Sequence, residues 1–369
     1  MTISPTIEPA AYSRRNPFPA GLVCRTLLSA PSEPNPKHHY EISLEGSGLH
    51  YEPGDSLAIF PENDPRVVEA ILALFGWNGS EEFARPDGQA SILREVLLRH
   101  VSITKPSRRS REMVEKLRGP MPALCDVIDL LSAAPELCRS LTPQEFVASL
   151  DKLQPRLYSI ASSMHEHGAV AHLFVSSVFY EACGHRRRGV CTSYLADRVP
   201  LRSDVRVFIH SAPYFHLPPE PDASVIMIGA GTGIAPFRAF LEERRALGCR
   251  GKNWLFFGQR HEAHGFYYRE DWFEFVRCGV LTRMDTAFSR DQPERLYVQH
   301  RMMERAPELW QWLKDGAYIY LCGDARLFAP DVDATLTKLA AQCGSISTRE
   351  AALLIENLRA TKRYRRDVY

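Results

Sequence analysis

A glycine-rich turn between an apolar strand and a helix constrains the fold of this 369-residue chain more than any other feature. The uncharged run 225–228 predicts a buried strand, and the sequence Gly-Ala-Gly-Thr-Gly follows it directly at 229–233. A helical pattern then covers 235–247, and a second apolar strand covers 254–257. This alternation is typical of a parallel sheet with crossover helices. The sequence therefore predicts a doubly wound α/β domain over residues 220–369.

The preceding residues follow a different pattern. Apolar runs at 22–24, 40–44 and 56–60, separated by proline and glycine, predict antiparallel strands. Helical periodicity dominates from about 61 to 153, and strand character returns from residue 157 onward. We therefore expect an antiparallel β-barrel domain over 18–219, with a helical subdomain inserted at about 61–153. Residues 1–17 are expected to be a disordered N-terminal lead.

Composition excludes several classes of protein. A net charge of +1 gives no global reason to expect a nucleic acid or an acidic membrane surface as partner. The nine cysteines occur singly, without Cys-x-x-Cys spacing, and the N-terminus has no apolar signal core. We expect a cytoplasmic protein with reduced thiols and no bound metal. The basic run 185–188 favours a solvated loop, with a partner-docking patch as the alternative.

The glycine-rich turn is a candidate anion site. Its backbone N–H groups and the following helix dipole can hold a pyrophosphate. The spacing is Gly-x-Gly-x-Gly rather than Gly-x-Gly-x-x-Gly, so a plain tight turn is the alternative. Gly231 and Thr232 are the residues predicted to contact the ligand.

A second group of polar residues follows the predicted third strand of this domain, at 281–285. No acidic residue follows the second strand to bind the ribose hydroxyl of NAD. Two guanidiniums, a hydroxyl and an aromatic ring suit a 2′-phosphate instead, so NADPH is favoured over NADH. Solvated surface arginines are the alternative. The predicted residues are Ser289, Arg290, Arg295, Tyr297 and Gln299.

A third candidate site begins where a proline-bounded loop enters a strand. Arg156 can neutralise a flavin pyrophosphate, Tyr158 can stack on the isoalloxazine ring, and Ser159 can hydrogen-bond near N5. An ordinary amphipathic strand with an exposed arginine is the alternative. A second segment, before a helix predicted at 193–197, offers another anion-binding helix start, with simple capping as its alternative. The predicted contacts also include Ile160, Gly189, Val190, Cys191, Thr192 and Ser193.

Cys322 follows the apolar strand predicted at 317–321. This places the thiol at the carboxyl edge of the sheet, where ligands bind in open α/β folds. A thiol there can contact the nicotinamide C4 without competing as a base, and a buried structural cysteine is the alternative. Asp324 lies in the same turn and is predicted to contact the cofactor, as is Tyr369, the aromatic residue on which the chain ends.

Together these motifs resemble a known family, the flavoprotein (alpha) components of assimilatory NADPH–sulfite reductases. This family lies within the ferredoxin–NADP reductase and diflavin reductase superfamily. The resemblance covers about residues 12–369. The segments that carry it are RLYSIASS (156–163), SYLADR (193–198), VIMIGAGTGIAPFRAF (225–240), KNWLFFG (252–258), SRDQ (289–292) and KRYRRDVY (362–369).

The resemblance implies an FAD-binding barrel with a helical connecting insertion, followed by an NADP-binding module. Ser159, Cys322 and Asp367 resemble the hydride-transfer set, and Tyr369 resembles the ring that covers the flavin face. The implied FAD ligands are Arg156, Tyr158, Ser159, Gly189 and Thr192. The implied NADPH ligands are Gly231, Thr232, Ser289, Arg290, Arg295, Tyr297 and Gln299.

The implied activity is electron transfer from NADPH through FAD to an acceptor. The resemblance points to the sulfite reductase hemoprotein, reached directly or through a separate flavodoxin or ferredoxin. A general NADPH–flavodoxin/ferredoxin reductase is the same-class alternative. A non-catalytic docking subunit that kept the fold is an alternative from another class.

Three departures from the family pattern affect these expectations. The family's full-length members carry an FMN-binding flavodoxin domain, for which we find no room before the barrel, so FAD is expected to be the only tightly bound flavin. His216 replaces the usual arginine of its motif and is expected to weaken one cofactor phosphate contact. Cys191 stands where a small non-thiol residue is more typical, and it has no individual role assigned.

Overall fold

The computed structural model describes residues 12–30, 33–84 and 90–369 of the chain. Residues 1–11 of the expected N-terminal lead lie outside this part. Within the described ranges, no helix is both long enough and apolar enough to cross a membrane.

The first half of the chain is built on an antiparallel sheet. Its strands and hairpins are β1 (Phe18–Leu27), β2 (Lys37–Ser43), β3 (Ser56–Phe60), β4 (Glu82–Ala84), β5 (Ala90–Ile92), β6 (Arg156–Ser159), β7 (Val170–Ser176), β8 (Phe179–Ala182), β9 (His185–Arg188) and β10 (Asp204–His210). Six of these strands form the main sheet in the order β6-β3-β10-β1-β2-β7. The sheet is barrel-like without a continuous closing ladder, although an isolated bridge joins Ile160 to Leu173. The predicted antiparallel barrel architecture is therefore confirmed.

Apolar side chains at alternate positions along the strands fill the interior of the barrel. Leu22, Ile42, Leu57, Leu173 and Val205 are fully buried in one apolar cluster. Because successive residues of a strand point to opposite faces, these positions define the inner face and leave their neighbours for the outside.

The helical insertion connects β3 to β6 along the chain, although these two strands are neighbours in the sheet. Its first helix begins after Asp64, whose carboxylate accepts a hydrogen bond from the Arg66 N–H, and ends at Gly76 in the left-handed region. The insertion also contains the short hairpin β4–β5, which the helical periodicity did not predict. Its helices are α1 (Pro65–Phe75), α2 (Leu93–Arg99), α3 (Arg108–Arg118), α4 (Val127–Ala133), α5 (Pro135–Ser140) and α6 (Pro143–Ala148).

The basic run 185–188 forms strand β9, so the expectation of a loop is wrong, although His185, Arg186 and Arg188 are exposed as expected. Arg187 lies 2.6 Å from Asp129, and Arg188 pairs with Asp197 at 2.5 Å. These ion pairs tie the β8–β9 hairpin to the insertion and to the helix that follows. The short helix α7 (Met164–His167) precedes β7, and the short helix α8 (Val190–Ser193) follows the hairpin. A π-helical turn (Tyr194–Arg198) continues α8.

The second half of the chain confirms the doubly wound parallel sheet. Its strands are β11 (Val225–Ala230), β12 (Asn253–Gln259), β13 (Arg283–Phe288), β14 (Tyr318–Gly323) and β15 (Tyr364–Val368), in the order β13-β12-β11-β14-β15. Its helices are α9 (Ala235–Ala246), α10 (Glu262–Gly265), α11 (Arg269–Arg277), α12 (Val298–Glu304), α13 (Ala306–Lys314), α14 (Phe328–Gly344) and α15 (Thr348–Ala360). All four neighbouring pairs are parallel. The strand order reverses between β11 and β14, which is where open α/β sheets bind ligands.

Two strands differ in position from the sequence prediction. Strand β13 begins at Arg283 rather than at 281, because the Leu281 N–H bonds back to the Phe275 carbonyl at the end of α11. Strand β14 continues to Gly323, so Cys322 lies inside the strand rather than after it.

The two halves share a buried interface. Phe174 and Phe215 of the barrel half pack with Phe237 and Phe240 of α9 in one apolar cluster. Arg238, also on α9, donates to the Ala161 carbonyl at 2.7 Å. These contacts fix the end of β6 against the carboxyl edge of the parallel sheet.

Candidate active site

A cavity of about 970 Å³ lies between the barrel sheet and the carboxyl edge of the parallel sheet. Its volume is at the upper end of the range typical of cofactor sites. Residues predicted for the flavin and for hydride transfer line it together, although they come from opposite ends of the sequence. These lining residues are Arg156, Tyr158, Ser159, Gly189, Val190, Cys191, Thr192, Thr232, Asp367 and Tyr369.

The central contact of the cavity joins the two domains. Ser159, the last residue of β6, donates its hydroxyl to Asp367 Oδ2 at 3.1 Å. Strand β15 pairs with β14 in a register that sets Asp367 opposite Cys322. A hydroxyl, a carboxylate and a thiol thus converge at the reversal point of the parallel sheet.

Burial controls the charge of this group. Loss of solvent raises the pKa of Asp367, whereas the Ser159 hydrogen bond and the nearby His210 lower it. Burial, and then the Asp367 charge, raise the pKa of Cys322 well above its usual range. Cys322 therefore remains a neutral thiol at physiological pH and cannot serve as a base or nucleophile.

The glycine-rich turn lies against the end of β14. Residues Gly231–Ile234 form a 3-10 turn that leads directly into α9. Gly231 has φ +61°, and a Cβ on Gly233 would lie 2.1 Å from the Cys322 carbonyl oxygen. The turn thus offers backbone N–H groups at a helix start with no side chain in between, which fits a pyrophosphate.

Tyr369 lies at the mouth of the cavity. Its hydroxyl is hydrogen-bonded to Thr232 Oγ1 at 2.7 Å, and its backbone N–H donates to the Gly323 carbonyl at 3.2 Å. The side chain is nevertheless 62% exposed, so the ring is available to a ligand. Asp324 has a different role, because its carboxylate accepts from the N–H groups of Arg326 and Leu327 and caps the turn before α14.

Some of the predicted flavin-binding residues face the cavity, and others are buried in the barrel core. Arg156 is exposed at the cavity and donates to the Gln154 carbonyl at 2.9 Å. Ile160 and Cys191 are buried with the barrel core, and burial raises the pKa of Cys191 to about 11. Tyr158 lines the cavity and also packs against this core.

The second predicted anion site begins earlier than expected. Helix α8 starts at Val190 with Gly189 as its N-cap, three residues before the helix predicted at 193. The Thr192 hydroxyl accepts from the Val178 N–H at 3.2 Å, and the Ser193 hydroxyl donates to the Val190 carbonyl. The N–H groups at the start of α8, rather than the Ser193 side chain, are therefore the donors nearest to a ligand.

Sequence reasoning missed one wall of the cavity. The helical insertion and the β8–β9 hairpin contribute charged groups and two hydroxyls to the lining. No motif marked these residues, because they are scattered over more than 80 positions and meet only in the folded chain. They are Thr104, Lys105, Arg111, Asp126, Tyr180 and Arg188.

The predicted 2′-phosphate residues lie at the carboxyl edge of β13. Backbone bonds from Ser289 to Gln259 and from Arg290 to Arg260 join the ends of β13 and β12. Arg290 and Arg295 are exposed, and neither guanidinium forms an ion pair within the described ranges. Arg260, which the sequence reasoning did not include, adds a third exposed guanidinium here.

Tyr297 and Gln299 occupy the start of α12. Tyr297 is 37% exposed and lies beside His300, with ring centroids 5.8 Å apart. The Gln299 amide donates to Asp331 at 3.2 Å. The tyrosine ring is therefore accessible to an adenine, whereas Gln299 is already engaged.

His216 is bound to barrel carboxylates rather than to the cavity. Its Nε2 lies 2.6 Å from Asp55 Oδ1, and its Nδ1 lies 3.2 Å from Glu52. The hydrogen bond to Asp55 raises the pKa of His216. Asp55 also accepts from the Ala212 N–H, so the histidine helps to fix the loop after β10.

Comparisons with known proteins agree with this architecture. A family model described as FAD binding domain matches residues 10–84, and one described as Oxidoreductase NAD-binding domain matches residues 227–333. The first half of the chain is thus similar to an FAD-binding domain, and the second half to the NAD-binding domain of oxidoreductases.

The relatives with similar sequences share one name. The chain is 40% identical over 376 residues to the sulfite reductase (NADPH) flavoprotein alpha-component of Bacillus subtilis (strain 168), covering 98% of this chain and 62% of that protein. It is also 40% identical over 384 residues to the proteins of the same name from Yersinia pestis bv. Antiqua (strain Antiqua) and Aliivibrio fischeri, covering 100% of this chain and 63% of each. The chain is thus similar to the sulfite reductase flavoprotein alpha-components over 98–100% of its own length. It spans 62–63% of the length of these relatives.

Proposed function

We propose that this chain is an NADPH-dependent FAD oxidoreductase that passes electrons to the sulfite reductase hemoprotein in assimilatory sulfite reduction. The observation that carries the proposal is the meeting of Ser159, Asp367 and Tyr369 from both domains at one cavity. Cys322 is buried behind this group, opposite Asp367 in the strand register. The names of the relatives support the choice of acceptor. A separate flavodoxin or ferredoxin is the second proposed route to it.

The residues of the cavity have distinct tasks in this proposal. FAD, when bound, would supply the redox chemistry, namely hydride acceptance and one-electron release. Ser159 offers a hydroxyl at the flavin edge. Asp367 supplies a carboxylate that stabilises the positive charge left on the nicotinamide, and the neutral Cys322 thiol fills the space beside it without reacting.

The remaining residues position the cofactors. The starts of α8 and α9 offer N–H groups to the two pyrophosphates, and Arg156 adds a positive charge on the flavin side. The shared apolar interface holds the two domains in fixed register, so the two reacting rings need little further orientation. The nine cysteines are unpaired thiols, which fits the proposed cytoplasmic location.

The proposal is tested with the purified chain. We expect a yellow protein with FAD as its extracted flavin and NADPH-dependent reduction of ferricyanide. We then expect NADPH-dependent reduction of a sulfite reductase hemoprotein added alone or with flavodoxin. A colourless, inactive protein would favour the docking subunit, and activity with flavodoxin or ferredoxin but not with the hemoprotein would favour a general reductase.

Replacing Arg290 with alanine is expected to weaken the use of NADPH selectively. A charge-assisted contact to phosphate is worth about 1.5–3 kcal/mol, so KM for NADPH should rise by about one to two orders of magnitude. NADH lacks the phosphate and should be used as before. Steady-state kinetics with both cofactors measure this difference.

Arg250 provides the matched control for Arg290. It is also exposed, but it precedes β12 and so lies at the opposite edge of the parallel sheet. Arg250→Ala should leave both KM values unchanged. Equal losses with NADPH and NADH in Arg290→Ala would show that Arg290 acts through the structure and not through the phosphate.

Replacing Tyr369 with alanine is expected to tighten the binding of NADP⁺ and to improve the use of NADH. The exposed ring occupies the mouth of the cavity, so nicotinamide must displace it to reach the flavin. Aromatic stacking contributes about 0.5–1.5 kcal/mol, and removing this competition should lower Kd for NADP⁺ by about twofold to tenfold. Calorimetric titration measures Kd.

Tyr369→Phe separates the ring from its hydroxyl. This variant loses the Thr232 hydrogen bond but keeps the flat surface, so its NADP⁺ affinity should stay close to that of the unmodified chain. If both variants bind NADP⁺ as the unmodified chain does and show the same flavin absorbance spectrum, Tyr369 does not compete with the nicotinamide.

A further inference from the structure

His210 occupies a position on the cavity that the proposed chemistry leaves unused. Strand pairing sets Ser56 opposite both Ser159 and His210, so the three residues form one row across β6, β3 and β10. Directly opposed residues project to the same face of a sheet, and all three line the cavity. His210 is the last residue of β10 and is exposed.

Asp367 reaches this row from the other domain through its bond to Ser159. Two strand spacings separate Ser159 from His210, which corresponds to about 10 Å. At that range opposite charges attract each other weakly through water and more strongly where protein of lower dielectric constant lies between them. The positive charge of His210 accordingly favours the ionised form of Asp367.

The other groups that face Asp367 cannot supply this charge. Ser159 from β6, Cys322 from β14, and Tyr214 from the loop after β10 are all neutral at pH 7, as is Tyr369.

The basic neighbours of Asp367 on β15 are engaged elsewhere. Arg365 donates to the His216 carbonyl, and Arg366 pairs with Asp333 at 3.0 Å. Of all the groups named around Asp367, His210 is therefore the one whose positive charge faces the carboxylate.

We propose that His210 is a positioning residue that keeps Asp367 ionised at the hydride-transfer site under mildly acidic conditions. The inference rests on the proposed function. Histidine side chains in proteins can carry a positive charge in mildly acidic solution, and this is the charge that the support requires. Burial alone drives Asp367 in the opposite direction, toward the protonated form.

The sign of the effect follows from the role of the carboxylate. A nicotinamide that has lost its hydride is cationic, and only the ionised form of Asp367 stabilises it. Flavin reduction should therefore slow as pH falls through the titration of Asp367. Without the charge of His210, the fall in the flavin-reduction rate should begin at a pH about half a unit higher, given the distance and a partly buried environment.

The experiment compares His210→Gln, His210→Lys and His50→Gln with the unmodified chain. Two readouts are taken between pH 5 and 8, namely the stopped-flow rate of flavin reduction by NADPH and the absorbance spectrum of the oxidised, FAD-loaded protein. We expect both titrations to move to higher pH in His210→Gln and to return to or below the unmodified position in His210→Lys. His50 is exposed and lies outside the cavity lining, so His50→Gln should titrate as the unmodified chain does.

Two results would overturn the inference. One is a His210→Gln titration that superimposes on that of the unmodified chain. The other is an equal displacement in His210→Gln and His210→Lys, which would indicate a steric rather than a charge effect. If the unmodified chain is not reduced by NADPH at all, the proposed function fails, whereas the spectral titration still decides the role of His210.

Discussion

Replacing Asp367 with asparagine is expected to slow the reduction of bound flavin by NADPH by about two orders of magnitude, the usual cost of removing one preorganised electrostatic contact. The change keeps the size of the side chain, and the amide can still accept the Ser159 hydroxyl. It removes the negative charge that lies opposite Cys322. The limiting rate at saturating NADPH, measured anaerobically by stopped flow, reports the effect.

Asp324→Asn is the matched control for this change. Asp324 lies at the same edge of the sheet, but it is exposed and caps a turn. Its variant should reduce flavin at an unchanged rate. If Asp367→Asn keeps its FAD and reduces it at a rate within threefold of the unmodified chain, the carboxylate takes no part in hydride transfer.

The pair Ser159 and Asp367 also tests whether the two residues act together. Residues that share one hydrogen bond show non-additive effects, whereas independent residues add. Ser159→Ala should therefore slow flavin reduction strongly in the unmodified chain and only slightly in the Asp367→Asn variant. Additive losses would mean that the 3.1 Å contact has no functional coupling.

The sequence predicted four of the five strands of the parallel sheet, β11 to β14, and missed β15. Strands β11, β12 and β14 are fully buried apolar runs, which a single sequence reveals directly. Strand β15 reads Tyr-Arg-Arg-Asp-Val and has no such run. Its charged residues are tolerated because it is an edge strand, where one side of the strand remains unpaired.

Strand β15, which the sequence analysis missed, also carries Asp367 into the candidate active site. The sequence identified Cys322 and Asp367 as separate candidates, 45 residues apart. Only the β14–β15 register sets them opposite each other, and only the domain interface brings Ser159 to the carboxylate. Local patterns carry neither relation, because both depend on packing between distant segments.

The start of α8 illustrates a local failure of prediction. The sequence analysis placed a helix at 193–197, directly after a run of small and hydroxyl residues, with simple capping as the alternative. The chain instead caps with Gly189 and then widens into a π-helical turn at Tyr194–Arg198. A π-turn inserts an extra residue and shifts the helical periodicity, so the true boundary is displaced in the pattern. His210 was missed for another reason, since a single histidine at a strand end has no motif.

Replacing Gly233 with alanine is expected to damage both folding and dinucleotide binding. The added Cβ would lie 2.1 Å from the Cys322 carbonyl oxygen, 2.6 Å from its carbonyl carbon and 2.9 Å from the Gly323 nitrogen. All three are backbone atoms of β14, so no side-chain rotation relieves the clash. Overpacking of this kind costs about 1–3 kcal/mol, and we expect the upper end for the free energy of unfolding. Chemical denaturation measures the loss.

The same clash should reach the dinucleotide site, because relief requires the turn to move away from Cys322. We therefore expect Gly233→Ala to weaken NADP⁺ binding by at least tenfold, even at temperatures where the protein remains folded. Gly231→Ala separates crowding from backbone conformation, since a Cβ there meets nothing within 4 Å but must adopt φ +61°. That strain costs about 1 kcal/mol, well below the loss at Gly233. Equal destabilisation of the two variants would mean that backbone freedom, and not the close approach to β14, is what the turn requires.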